Sequence, residues 1–119
     1  MAGIGYDQTQ ATQLATRMCA AGLPMVKVPQ NVMLMSEPMK ELGARIMAGK
    51  IKQDGNPLLT WMIGNVIAKV DVKENVYPRK ARNENKIDGA VAAIIAMNRR
   101  LFFVKRMESA YAGATEIVI

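Results

Sequence analysis

At 119 residues, half of them hydrophobic, the chain has the size and apolar content of one compact domain with a real core, and a second domain would be crowded. Sixteen Lys and Arg against ten Asp and Glu leave a formal charge of +6, which favours a polyanionic partner through counterion release and steering. With no histidine and a single cysteine, Cys19, the composition excludes an internal disulfide, the usual zinc spacings and Ser-His or Cys-His catalytic pairs, so any metal must be held by oxygen.

Gly and Pro divide the chain into short alternating elements of an α/β domain, with no internal repeat or low-complexity linker. Residues 2–6 read as the end of a short strand. Residues 9–21 read as a helix in which Ala11, Leu14, Ala15 and Met18 share one face and Gly22 ends it. Residues 24–28 form a buried strand. Ser36, Glu37 and Pro38 then combine an N-cap, an acidic first turn and an early proline, predicting a helix that carries Met39, Leu42, Ile46 and Met47 inward as far as Gly49.

After the turn-like Gln53-Asp54-Gly55-Asn56, Pro57 opens a third helix to about Asn65, and residues 66–72 are rich in β-formers. Glu74 and Asn75 mark a turn, and residues 77–82 read as a basic, irregular segment. The clearest helical period spans residues 84–101, where Ile87, Val91, Ile94, Ile95 and Asn98 form one stripe. Gly89, Ala90, Ala92, Ala93 and Ala96 let another element approach it closely. Residues 102–119 read as helix followed by a terminal strand at 116–119. Ten scattered methionines read as adaptable core filling.

The longest apolar run, residues 90–97, is far below the roughly 20 needed to span a bilayer, and the start of the chain lacks the basic and apolar regions of a signal peptide. The expected location is cytoplasmic, with no membrane partner.

Three features carry the chemistry. Asp7 directly follows a short apolar strand, where it either caps the next helix or presents a carboxylate at the carboxyl edge of a sheet. Asp88 opens the apolar helix, either as a solvated first-turn carboxylate that complements the helix dipole or as a metal ligand. Arg79, Lys80, Arg82 and Lys86, just upstream, are either a solvated basic loop or a path that positions a phosphate backbone without reading sequence. Hard cations such as Mg²⁺ or Mn²⁺, paired in a two-metal site, hydrolyse phosphodiesters without histidine, which suits this composition.

These residues resemble a known family. Gly55-Asn56-Pro57, Trp61-Met62, Asn65-Val66, Lys80 and the run Lys86-Ile87-Asp88-Gly89 leading into Val91-Ala92 and Ala96-Met97 resemble the C-terminal part of the nuclease domain of tailed-phage or prophage terminase large subunits. Upstream, Tyr6-Asp7 at a strand end and Val28-Pro29-Gln30 resemble the preceding part of that domain. The resemblance runs from about Gly5 to Leu101, with a looser match at Ser109 and Tyr111.

It implies a partial ribonuclease H-like nuclease fold, a central mixed sheet flanked by helices and lacking its first strands, within a single domain over residues 1–119. It also implies Mg²⁺- or Mn²⁺-dependent hydrolysis of double-stranded DNA, with Asp7 and Asp88 at the second and last acidic motif positions and Lys80 and Lys86 near the phosphates. No GxxxxGK[ST] loop occurs, so the family's ATPase domain is not expected here. The family's first catalytic aspartate has no counterpart, so the expected site is incomplete and its cleavage impaired. Gln53 and Thr60 stand where many relatives have His and Arg, so a polar and a basic contact near the turn are expected to be weakened. The implied partners are DNA, other terminase subunits or the portal, and further copies of the chain, since a sheet that lacks its leading strands exposes an edge. The alternative readings are a non-catalytic DNA-binding or assembly module, and an inert prophage remnant.

Overall fold

The computed structural model describes residues 3–9 and 11–118, with side chains through residue 110. Its elements run β1 (Ile4–Tyr6), α1 (Thr12–Ala20), β2 (Met25–Lys27), α2 (Val32–Met47), α3 (Pro57–Gly64), β3 (Val66–Val70), β4 (Val76–Lys80) and α4 (Asp88–Val118). The class is α/β, and both strand-pairing types are present. β1 and β2 pair in parallel around the α1 crossover, while β3 and β4 form an antiparallel hairpin in a second sheet.

Val28, Met35, Ile94 and Ile95 form the central cluster, with Met39, Leu42, Tyr77 and Val91 packed around it. The stripe predicted on α4 is therefore the one that builds the core, and α2 and β4 close over it. Gly5 explains how β1 comes so near: a Cβ at that position would lie 2.6 Å from Ile95 Cγ2 and 3.1 Å from Val28 Cγ2. The core is thinner than the composition implies. Leu14 is exposed, so α1 buries only Ala15, and Met47 is 89% exposed while Met35 is fully buried. Met35 and Met97 fill the core as expected, but Met33, Met47 and Met107 lie on the surface.

The starts of α1 and α2 differ from the sequence reading. α1 begins at Thr12 behind Ala11, which offers no capping side chain, so Asp7 is not its cap. α2 begins not at Ser36 but behind Asn31, whose Oδ1 accepts from Leu34 N at 3.0 Å. Ser36 is instead buried within α2, and its Oγ accepts from Val76 N at 3.0 Å, tying the helix to β4. Pro38 consequently sits inside α2, where its missing N–H strands the carbonyl of Leu34 one turn earlier. Asn98 of α4 supplies the replacement, its Nδ2 donating to Leu34 O at 3.1 Å.

The segment expected to be irregular is largely β4, with Val66 paired to Lys80 and Val70 to Val76. Pro78 is tolerated because a hairpin has outward edges. Val76 turns its N–H away from β3 to Ser36, and Pro78, two residues on, turns its donorless nitrogen the same way. The connecting turn is held by Asp71, whose oxygens accept from Lys73 N, Asn75 N and Asn75 Nδ2. The Asn75 amide above all holds its carboxyl below the ordinary carboxylate range. Glu74 takes the left-handed conformation the turn requires, at φ 63°.

α3 starts as predicted, with Asn56 Oδ1 accepting from Leu58 N and Leu59 N and Pro57 at the first helical position. α4 starts four residues later than the periodicity suggested, since residues 81–87 are occupied by turns. At its other end the helix continues through Val118 where a terminal strand was expected, and Ile119 lies outside the described residues. Among the described residues, no helix is long and apolar enough to cross a membrane.

Candidate functional site

Asp7 leaves β1 at its carboxyl end, half-buried, with both oxygens engaged. Oδ1 accepts from Thr9 N at 3.2 Å, and Oδ2 accepts from Gln30 Nε2 at 2.9 Å. Gln30 lies between β2 and α2, and its own carbonyl accepts from the Tyr77 hydroxyl at 3.1 Å. The carboxylate is thus oriented by donors from two segments while its remaining lone pairs stay available.

Asp88 is the exposed first residue of α4, where the unpaired amides of the first turn favour a carboxylate. Its surroundings are built by α3. Asn65 Nδ2 donates to Lys86 O at 2.9 Å, fixing the approach to the helix, and Gly89 N donates to Met62 Sδ at 3.3 Å. Gly89 allows this contact, because a Cβ there would meet Met62 Cε at 2.6 Å and Leu59 Cδ1 at 3.0 Å.

Along β1 the neighbours change from Arg99 Nε beside Gly3 to Ile95 Cγ2 beside Gly5, so the strand runs toward the amino-terminal half of α4. Ile95 lies seven residues beyond Asp88, roughly 10 Å of helix rise. Asp7 therefore leaves its strand on the side of the α4 layer that leads to Asp88. Among the described residues, no three His, Cys, Asp or Glu side chains come together. The donor chemistry still suits a hard cation, because Mg²⁺ takes one or two carboxylates and keeps several waters.

The four basic residues do not form one patch. Arg79 and Lys80 are both exposed, but adjacent strand positions face opposite sides of the hairpin. Arg79 shares its side with Tyr77, Lys69 and Ile67, and Lys80 shares its side with Pro78, Ala68 and Val66. Arg82 and Lys86 lie exposed in the turns that follow, where Asn85 N donates to Arg82 O and Lys86 N to Glu84 O. Lys69 is not among the residues the sequence reading singles out; two five-residue runs with β-formers, 66–70 and 76–80, on either side of a turn from Asp71 to Asn75 are the signal that finds it. With Arg79, Tyr77, Asn31 and Gln30 it lines a concavity of about 410 Å³.

β1 has one partner among the described residues. Ile4 N donates to Pro24 O and Tyr6 O accepts from Val28 N, so the polar groups of Gly5 face the opposite edge. That edge borders a groove of about 420 Å³ lined by Gly3, Gly5, Ala92, Ala96 and Phe103, together with Arg99. Arg99 Nε is buried there without a hydrogen-bond partner, its guanidinium stacked 4.6 Å from the Phe102 ring centroid.

Residues 1–102 match the family model described as terminase large subunit, endonuclease domain. Protein YmfN of Escherichia coli strain K12 is 45% identical over 101 residues, which cover 83% of this chain and 22% of that protein. Among solved structures, the large terminase of bacteriophage HK97 superposes with a TM-score of 0.69 at 23% identity, over 81% of this chain and 20% of that one. The last comparison speaks to fold alone. The chain spans about a fifth of the length of each of these two relatives.

Proposed function

Since the chain belongs to the terminase large-subunit endonuclease-domain family, we propose that it carries part of a metal-dependent DNA-cleaving site, with Asp7 and Asp88 as ligands for Mg²⁺ or Mn²⁺. The observation that carries this reading is the placement of Asp7: an oriented carboxylate at a strand's carboxyl end, on the side of the α4 layer leading to Asp88. When bound, the metal supplies an activated water and charge stabilisation for phosphodiester hydrolysis. Asp7 and Asp88 hold and orient it. Lys80, Arg82 and Lys86, and Arg79 from the other side of the hairpin, attract and align the DNA backbone. This reading assigns two carboxylates to the metal, and slow cleavage is expected of them.

Supercoiled-plasmid cleavage with Mn²⁺ or Mg²⁺ tests the reading. Slow nicking is expected, abolished by EDTA and lowered at least a hundredfold by Asp88→Asn. Cleavage that persists in Asp88→Asn would remove Asp88 from the site.

A second reading rests on the exposed basic residues of the hairpin and the turns after it: a DNA-binding or packaging-assembly module without catalysis, its partners the duplex and other terminase subunits or the portal. Salt-sensitive DNA binding without cleavage, lost on charge reversal at Arg79 and Lys80, would favour it. Homo-oligomerisation through the β1 edge belongs to both readings, supported by the outward-facing Gly5 backbone and the apolar groove beside it.

A further inference from the structure

Three segments distant in sequence meet at Asp7. Gln30 Nε2 donates to Asp7 Oδ2 at 2.9 Å across a separation of 23 residues. The Tyr77 hydroxyl donates to Gln30 O at 3.1 Å across a separation of 47. Tyr77 packs against the core cluster through its ring, so the hydroxyl that grips Gln30 stands on a fixed base. Asn31, the next residue, is held as the N-cap of α2. The Gln30 main chain is therefore held from both sides, while its side chain reaches back to the carboxylate.

We propose that Gln30 is a positioning residue for Asp7 as a divalent-cation ligand, and that Tyr77 sets Gln30 in place from the hairpin. The inference deepens the metal-ligand reading of Asp7 and rests on it. The chemistry of the donor favours this role. A primary amide fixes the rotation of the carboxylate while consuming one acceptor position, and it carries no charge. A Lys or Arg in its place would neutralise the aspartate and weaken its attraction for a cation. Partners of this kind, hydrogen-bonded to a ligating carboxylate, orient the ligand and tune its affinity. The relay also joins the carboxylate to the hairpin side that carries Arg79 and Lys69, since Tyr77 is paired with Lys69 on that side.

Mn²⁺ affinity of the 119-residue chain, read from the electron paramagnetic resonance signal of the free ion, tests the proposal alongside melting temperature in EDTA. Gln30→Met keeps the side-chain length and removes the donor. It is expected to weaken Mn²⁺ binding roughly ten- to a hundredfold with an unchanged melting temperature. Tyr77→Phe is expected to weaken binding less, in the same direction. If wild type binds Mn²⁺ and Asp7→Asn does not, yet Gln30→Met binds like wild type, the proposal fails alone. It also fails if Gln30→Met loses affinity and melting temperature together, since the glutamine would then be a structural tether. Wild type that binds no Mn²⁺, or Asp7→Asn that binds as wild type does, overturns the metal-ligand reading itself and the proposal with it.

Discussion

Gly5 and Gly89 both sit where a Cβ would approach a neighbour at 2.6 Å, yet substitution should affect them differently. Beside Gly5 the obstacle is Ile95 Cγ2, a branched side chain locked in the core, with Arg99 Cγ at 3.0 Å and Val28 Cγ2 at 3.1 Å behind it. Gly5→Ala must push β1 off α4, and a loss of about 1–3 kcal/mol in urea unfolding is expected. Beside Gly89 the obstacle is the terminal methyl of Met62, which has rotamers to move into. Gly89 is the second residue of α4, where replacing a glycine gains less than the roughly 1 kcal/mol of a helix interior, but the methyl moves at little cost, so Gly89→Ala should change stability by less than about 1 kcal/mol. Equal losses at both positions would show that the Met62 contact is as rigid as the core. Neither outcome is legible in the sequence, where both glycines are simply small residues beside apolar ones.

Between elements, the proline inside α2 and the polar end of the α4 stripe turn out to be one feature. Asn98 ends the stripe because it supplies the hydrogen bond that Pro38 cannot give to Leu34 O. Asn98→Leu should destabilise the fold by about 0.5–1.5 kcal/mol, the net worth of that hydrogen bond at a partly solvated carbonyl. In a Pro38→Ala background the new backbone N–H takes over, and the cost of Asn98→Leu should shrink by half or more. Such a double-mutant cycle measures the coupling directly, and additive losses would break the connection. A proline costs least in a first turn, so the local sequence around Pro38 predicts a helix start there. The earlier cap at Asn31 and the partner on another helix, 64 residues away, outweigh that local preference. Residues 76–80 follow the same logic: Pro78 reads as a breaker until the hairpin gives its nitrogen an outward edge.

The molecule as a whole exposes more surface than its mass explains. Its 8784 Å² compares with roughly 6,400 Å² for a compact monomer of this size, and its radius of gyration of 16.5 Å compares with roughly 13.5 Å. Much of the excess follows from α4, a helix of 31 residues that carries Phe102, Phe103 and Met107 at least 43% exposed. Together with the β1 edge that has no partner among the described residues, this predicts concentration-dependent self-association by sedimentation velocity. Ala96→Glu, an exposed position in the groove beside that edge, should shift the equilibrium toward monomer without loss of helix content. Wild type that stays monomeric as concentration rises would remove the edge from the account of oligomerisation.

The sequence by itself determined the α/β alternation, the α4 core stripe, the Asn56-Pro57 helix start and the family, because each depends on local spacing or on residues close along the chain. It also singled out Asp7 and Asp88. Only the tertiary structure decided that Asp7 is oriented by Gln30 rather than capping a helix, that Arg79 and Lys80 face opposite sides, and that Ser36 serves a strand instead of opening α2. The physical reason is common to all three. A carboxylate, hydroxyl or basic side chain can satisfy itself locally or reach a partner tens of residues away, and that choice is made when the elements pack.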